Sequence, residues 1–101
     1  MFRLSGATLA LLLAAPALAA EDPEFGVLKE APGVETTYYT CTACHSEMIV
    51  AQQGLTRERW DQMLDWMVEE QGMPELAADE RQTILDYLAE HYNTDRPNFP
   101  R

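Results

Sequence analysis

The sequence carries little positive charge. Its 101 residues include seven Lys and Arg but 17 Asp and Glu, which gives a formal net charge of −10. Binding to nucleic acid or to an anionic membrane depends on clustered Lys and Arg side chains that neutralise phosphates. The charge balance therefore excludes both as favourable partners and predicts instead a partner protein with a basic docking surface.

Long apolar runs are absent except near the N terminus. There, Arg3 is followed by an apolar run at 7–15 and by the residues ALA at 17–19, a small-x-small cleavage pattern. The run is too short for a spanning helix, and its arrangement is that of a secretory signal peptide. We expect residues 1–19 to be cleaved, the protein to be periplasmic, and the mature protein to contain no membrane span. An uncleaved membrane anchor is the alternative.

Cysteine is scarce, and its placement argues against a structural role. Cys41 and Cys44 are three residues apart, so a disulfide would close only a tiny loop, which stabilises least. A zinc site needs four ligands, usually in two clusters, but only His45 and the distant His91 are available beside the cysteines. A thioredoxin-like motif needs a βαβ context, and neither flank offers convincing strands. The cysteine pair requires another explanation.

The residues CTACH at 41–45 supply one. Cys-x-x-Cys-His is the attachment motif of c-type haem. Residues three apart on a helical turn share one face, so Cys41 and Cys44 can both direct their sulfurs to one edge of a porphyrin. His45 follows directly and can ligate the iron as the proximal ligand. The sequence predicts one covalently attached haem c.

The remaining residues predict a small all-α domain of three to four helices. Residues 20–33 contain two prolines and two glycines and are predicted to form an extended, mostly exposed lead-in. Residues 34–93 form the predicted haem domain. Residues 94–101 form a turn-rich tail.

Two amphipathic helices are predicted with defined ends. The first runs from Thr56 as N-cap to Gly72, and the second spans about 78–92. Haem attachment requires a helix over 34–44, although the Thr and Tyr residues there favour a strand. Residues 46–54 are predicted as a short turn or helix. The apolar stripe of the Thr56 helix comprises Trp60, Met63, Leu64 and Met67.

The second axial ligand decides whether the iron keeps an open site. Met73 lies in a Gly-Met-Pro-Glu loop similar to the methionine loop of class I cytochromes c. Met67 and Met63 lie on the helical stripe, where methionine is often core filler. Met48 follows the proximal histidine too closely to reach the opposite face of the ring. His91 is also on an apolar stripe, but near a helix C terminus, where a histidine is favourable in any case.

The wider pattern resembles a known family over most of the mature chain. Its motifs are similar to those of the small cytochrome c subunit of bacterial sulfite dehydrogenases and its free-standing relatives. The residues that carry the resemblance are CTACHS, Trp60 with Asp61, Met67, Gly72, Pro74, Ile84 and DYLA at 86–89. The resemblance implies a class I cytochrome c-like fold with Met67 as the axial methionine.

The resemblance also implies electron transfer rather than catalysis. The expected protein is a periplasmic monohaem cytochrome c that passes single electrons from a dehydrogenase, such as a molybdenum-cofactor sulfite dehydrogenase, to a downstream acceptor. The alternative is a five-coordinate haem enzyme or gas sensor, which needs a distal acid–base pair. His91 is the only other histidine of the sequence, and Arg57 and Arg59 lie at the exposed start of a helix, so we assign no catalytic residue.

Overall fold

The structure is a computed structural model that describes residues 23–97 and the single residues 6 and 10. The predicted signal peptide, apart from those two residues, lies outside the described residues, as does the end of the tail at 98–101. The described residues form four α-helices and no strand, which confirms the all-α prediction for this part of the chain. The helices are α1 (Val34–Thr42), α2 (Glu47–Ala51), α3 (Arg57–Gln71) and α4 (Ala78–His91).

Helix α3 has the ends that its sequence predicts. The Thr56 hydroxyl accepts a hydrogen bond from the backbone N–H of Arg59 at 3.2 Å, which caps the helix. At the other end Gly72 adopts φ 73°, and its N–H donates to the carbonyl of Met67. This left-handed conformation favours glycine because a side chain would be strained there.

Helix α1 forms where local propensity favours a strand. Its buried residues Val34, Thr37 and Cys41 face the core, and tertiary packing overrides the weak local preference. The helix ends at Thr42 and not at residue 44 as predicted, so Cys44 lies in the turn that follows. The Thr42 hydroxyl donates to the carbonyl of Tyr38 at 2.7 Å within this last turn.

Helix α4 lies at the centre of the fold. It packs against α1 and against α3, whereas no Cα pair closer than 8 Å joins α1 with α3. Ile84, Tyr87 and Leu88 of α4 are almost fully buried. A Cβ at Gly33 would lie 3.0 Å from Cβ of Tyr87, so glycine allows the start of α1 to approach α4 closely. The arrangement leaves space above α4, between the α1–α2 junction and α3.

The lead-in differs from the extended segment predicted for 20–33. Its described residues form turns, and Leu28 is buried in the core. Two tyrosine hydroxyls bind the peptide groups of Lys29: that of Tyr87 donates to the carbonyl at 2.7 Å, and that of Tyr92 accepts from the N–H at 3.1 Å. A domain this small gains from every additional buried residue, which explains why the segment folds back.

The described part of the tail is also attached to the fold. The Arg96 guanidinium donates to the carbonyl oxygens of Ala51 at 2.5 Å and Gln53 at 3.3 Å. Its Cζ lies 4.9 Å from the centroid of the Tyr92 ring. Arg96 therefore satisfies carbonyl groups at the end of α2. None of the helices described is both long and apolar enough to cross a membrane.

Candidate functional site

A cavity of about 480 Å³ lies between the α1–α2 junction and α3, and α4 forms its base. Within the described part of the chain, no Asp, Glu, Lys or Arg lines it. Its size and apolar character are those of a site for a small molecule or cofactor. The lining residues are Thr40, Cys41, Cys44, His45, Ile49, Val50, Gln53, Trp60, Met63, Leu64, Trp66, Met67, Gln71, Met73 and Leu88.

The two cysteines share this cavity although they do not share a helix. Cys41 is buried in the last turn of α1, and Cys44 is exposed in the turn after it. Both are free thiols. Burial, with the neighbouring Cys44 as a smaller cause, raises the pKa of Cys41 to about 11. Its thiol therefore remains protonated at neutral pH.

His45 is held by the residue that begins the next helix. Its Nδ1 lies 3.1 Å from the carbonyl oxygen of Ser46. A carbonyl can only accept, so this hydrogen bond requires the ring proton on Nδ1 and leaves the Nε2 lone pair available for a metal. The Ser46 hydroxyl accepts from the N–H of Met48 at 3.2 Å and caps α2. Ser46 therefore orients the imidazole and starts α2.

Three methionines line the same cavity from the side of α3. Met63 and Met67 lie one turn apart in the helix, and Met73 follows its C-terminal glycine. The N–H of Met73 donates to the carbonyl of Met67 at 3.0 Å, which ties the loop methionine to the helix. Met48, by contrast, is 44% exposed and does not line the cavity. The geometry brings three of the predicted candidates together and leaves the choice among them open.

The other predicted candidates lie elsewhere. The His91 ring packs on the Tyr87 ring, with centroids 5.1 Å apart, and does not line the cavity. Arg57 pairs with Asp86 at 2.7 Å. Arg59 lines a separate depression next to α3. The cavity-lining imidazole in the described part of the chain is that of His45.

The two tryptophans of α3 differ as the apolar stripe predicted, because Trp60 belongs to the stripe and Trp66 does not. The sequence did not place Trp66 at the cavity. Trp60 is buried, and its indole N–H donates to the carbonyl of Tyr92 at 2.9 Å. Trp66 is half exposed and borders the cavity. Sequence reasoning also missed Gln53 and Gln71, the two amide side chains of the lining. They fall outside the apolar stripes by which the helices were predicted, so no sequence signal marked them.

The donor set of the cavity is suited to a haem. No group of three or more His, Cys, Asp and Glu side chains among the described residues could hold a bare metal ion. Two thiols, one imidazole with a free Nε2 and several thioethers around an apolar space are instead the groups that attach and ligate a c-type haem. Cys41, Cys44, His45 and one of the cavity methionines could hold it.

No family model, no curated protein and no solved structure matches this chain. The resemblance to small cytochrome c subunits therefore depends on the residues of the chain itself.

Proposed function

We propose that the chain is a periplasmic monohaem c-type cytochrome similar to the small cytochrome c subunit of bacterial sulfite dehydrogenases. It carries single electrons between a dehydrogenase, for example a molybdenum-cofactor enzyme, and a downstream acceptor. The observation that supports the proposal most directly is one apolar cavity lined by Cys41, Cys44, His45 and three methionines. In this proposal Cys41 and Cys44 would bind the haem covalently, and His45 and Met67 would ligate its iron.

The chain contributes ligands and a dry, apolar environment. When bound, a haem supplies reversible one-electron transfer at its iron. His45 presents Nε2 because the carbonyl of Ser46 holds its Nδ1 proton. The buried side chains of Val50 and Leu64 restrict the access of water to the ligands. Such control of ligand orientation and dielectric is how a protein sets the potential of a haem.

Met67 is the proposed second axial ligand. It lines the cavity from within α3, where the regular helix fixes its backbone. The family resemblance implies a methionine at this position. Met73 is the main alternative to Met67 as this ligand. Its backbone N–H donates a hydrogen bond to the carbonyl of Met67. A thioether ligand gives a higher potential than a second imidazole and leaves no open site on the iron.

The test compares three conservative variants. Met63→Leu, Met67→Leu and Met73→Leu keep nearly the same side-chain volume, so we expect each to fold. Covalent haem is measured first, by mass and by the absorption of the denatured protein. The near-infrared charge-transfer band of methionine-ligated ferric haem is then recorded. We expect the band in wild type, Met63→Leu and Met73→Leu, and its loss in Met67→Leu.

Other results of this test have definite meanings. Loss of the band only in Met73→Leu would assign the ligand to the loop. A haem-bearing wild type without the band would contradict methionine ligation and favour the five-coordinate alternative. A chain exported and matured with the cytochrome c assembly machinery that acquires no haem would overturn the proposal.

A further inference from the structure

Two large apolar side chains border the cavity and reach solvent. Ile49 is 49% exposed and Trp66 is 50% exposed, and both line the cavity; we call them the rim patch. Trp66 also borders a depression of about 350 Å³ that it shares with Met63. Within the described part of the chain, the Trp66 indole makes no hydrogen bond, in contrast to that of Trp60. A surface group in contact with the rim patch would lie one side chain away from the cavity.

Two exposed carboxylates lie beside the rim patch, near the C-terminal end of α3. Glu69 and Glu70 are exposed and follow Trp66 by three and four residues on α3, so they lie next to it on the helix. Neither side-chain carboxylate makes an ion pair or hydrogen bond with a described residue, whereas the carboxylate of Asp61 in the same helix binds Arg81 at 2.7 Å. The last turn of α3 contains no basic residue. Carboxylates at this negative helix end are unfavourable for the isolated helix, so helix stability does not account for them.

We propose that the rim patch is the docking surface for a basic redox partner protein, with a Lys or Arg side chain over the Trp66 ring and with Glu69 and Glu70 supplying the complementary charge. This inference depends on the proposed electron-transfer function. An indole face attracts a cation, and a central tryptophan surrounded by complementary charge is typical of the anchors of transient interfaces.

The charges select this kind of partner. A second copy of a chain with a formal net charge of −10 would be repelled from the patch. Arg59, about two helical turns before Trp66, borders the far side of the depression. A basic partner should therefore bind toward the end of α3 that carries Glu69 and Glu70.

The test uses the reduced, haem-bearing, ¹⁵N-labelled protein with decalysine as a cationic probe. The titration is performed at about 0.1 M ionic strength, where the Debye length is roughly 10 Å and charges on other faces of the domain are largely screened. The chain has two indole N–H groups, which provide an internal comparison. We expect the signal of Trp66 to shift on titration, and the signal of buried Trp60 to stay in place.

Two matched double variants distinguish the effect of the charges beside Trp66 from the effect of the net charge of the protein on decalysine binding. Glu69→Gln with Glu70→Gln should weaken decalysine binding roughly fivefold. Glu30→Gln with Glu35→Gln removes the same charge from exposed positions on the lead-in and on α1, which does not contact α3. This control should weaken binding by less than about twofold. Trp66→Ala should also weaken binding, and Trp66→Phe should restore part of it because a phenyl ring still attracts a cation.

Three results would overturn the docking surface. The first is a Trp66 signal that does not respond to decalysine, and the second is an equal effect of the two double variants. The third is a Trp66 shift that depends on protein concentration without decalysine, which would mean that a second copy covers the patch. The absorption spectrum of the same sample reports haem separately. A haem-bearing protein with an unresponsive Trp66 contradicts only the docking surface, whereas a chain without haem contradicts the proposed function as well.

Discussion

The two faces of α4 are built differently. Toward α1 and the lead-in, the chain fills its own interior with apolar side chains, and the hydroxyls of Tyr87 and Tyr92 bind the peptide groups of Lys29. Every buried side-chain polar atom in the described part of the chain has a hydrogen-bond partner. Toward α3, Trp60 and Leu64 are buried in the core, and beside them apolar and sulfur-bearing side chains border a cavity. The first face is closed by the chain's own side chains, whereas the second borders a cavity lined by Cys41, Cys44, His45 and three methionines.

The largest expected effect comes from preventing attachment on the cavity side. Cys41→Ser with Cys44→Ser should yield a largely unfolded chain, because a domain of this size buries limited apolar surface and haem would supply part of its core. Far-UV circular dichroism during heating measures the outcome. Thr42→Ser, which changes the motif but keeps both cysteines, is the control. A helical double variant that unfolds cooperatively would show that the cavity side is stable without a cofactor.

A large but partial effect is expected from a core residue of α4 that does not line the cavity. Ile84 is fully buried, so Ile84→Ala should lower the free energy of unfolding of the haem-bearing protein by about 2–5 kcal/mol. The near-infrared band should remain, because Ile84 does not line the cavity. Urea unfolding measures the change, and Gln82→Ala, an exposed change on the same helix, should stay within about 0.5 kcal/mol. Loss of the band in Ile84→Ala would show that the cavity depends on core packing outside its own lining.

A smaller effect is expected from the bond between α4 and the lead-in. Tyr87→Phe removes the donor to the carbonyl of Lys29 and should lower the free energy of unfolding by about 1–3 kcal/mol. Tyr39→Phe, at an exposed tyrosine without a hydrogen bond through its hydroxyl, is the matched control. If Tyr87→Phe lowers the free energy of unfolding no more than Tyr39→Phe does, the hydrogen bond to Lys29 contributes nothing to stability.

Tyr87→Phe should also change how the stability of the protein depends on pH. Burial, followed by the neighbouring Tyr92, raises the pKa of Tyr87. The folded state therefore favours the neutral hydroxyl, and this contribution to stability is complete below the unfolded pKa of about 10 and is lost as the pH rises above it. The stability of wild type should consequently decline more steeply above pH 10 than that of Tyr87→Phe. Parallel declines in urea unfolding would contradict the assignment.

The smallest effect is expected at the surface between α3 and α4. Arg81 binds Asp61 and Asp65 at 2.7 and 2.8 Å, and its hydrogen bond to Asp61 is the main cause of a raised Arg81 pKa. Arg81→Gln should cost about 0.5–1 kcal/mol at low salt, and less at high salt because these charges are screened. Arg59→Gln, at an arginine without an ion pair among the described residues, should change little. A loss independent of salt would point to packing rather than charge.

The sequence predicted α3 and α4 well because their signals are local. A capping residue, a left-handed glycine and a 3.6-residue apolar period all act over a few neighbouring positions, and Thr56 and Gly72 mark the ends of α3 as observed. The lead-in was predicted less well. Its turns and the burial of Leu28 depend on Tyr87 and Tyr92, which are about sixty residues away in the chain.

The candidate site shows the same division. The CTACH motif identified Cys41, Cys44 and His45 as a group before any fold was known, because such a motif is defined by spacing along the chain. The apolar period of α3 likewise identified Met63 and Met67. The position of His91 could not be predicted in this way. The apolar stripe of α4 does not show which other helix or segment the His91 side chain packs against. Its packing on Tyr87 removes it from the cavity.

The sequence by itself determined the excess of acidic residues, the Cys-x-x-Cys-His spacing and the ends of α3, since charge, motif spacing and helix capping are properties of neighbouring residues. Only the tertiary structure decided that α1 ends before Cys44 while both cysteines still line one cavity, and that Met73 joins Met67 there. These outcomes depend on how α1 and α3 pack against α4 without contacting each other. Packing between residues distant in sequence leaves no local pattern from which it could be read.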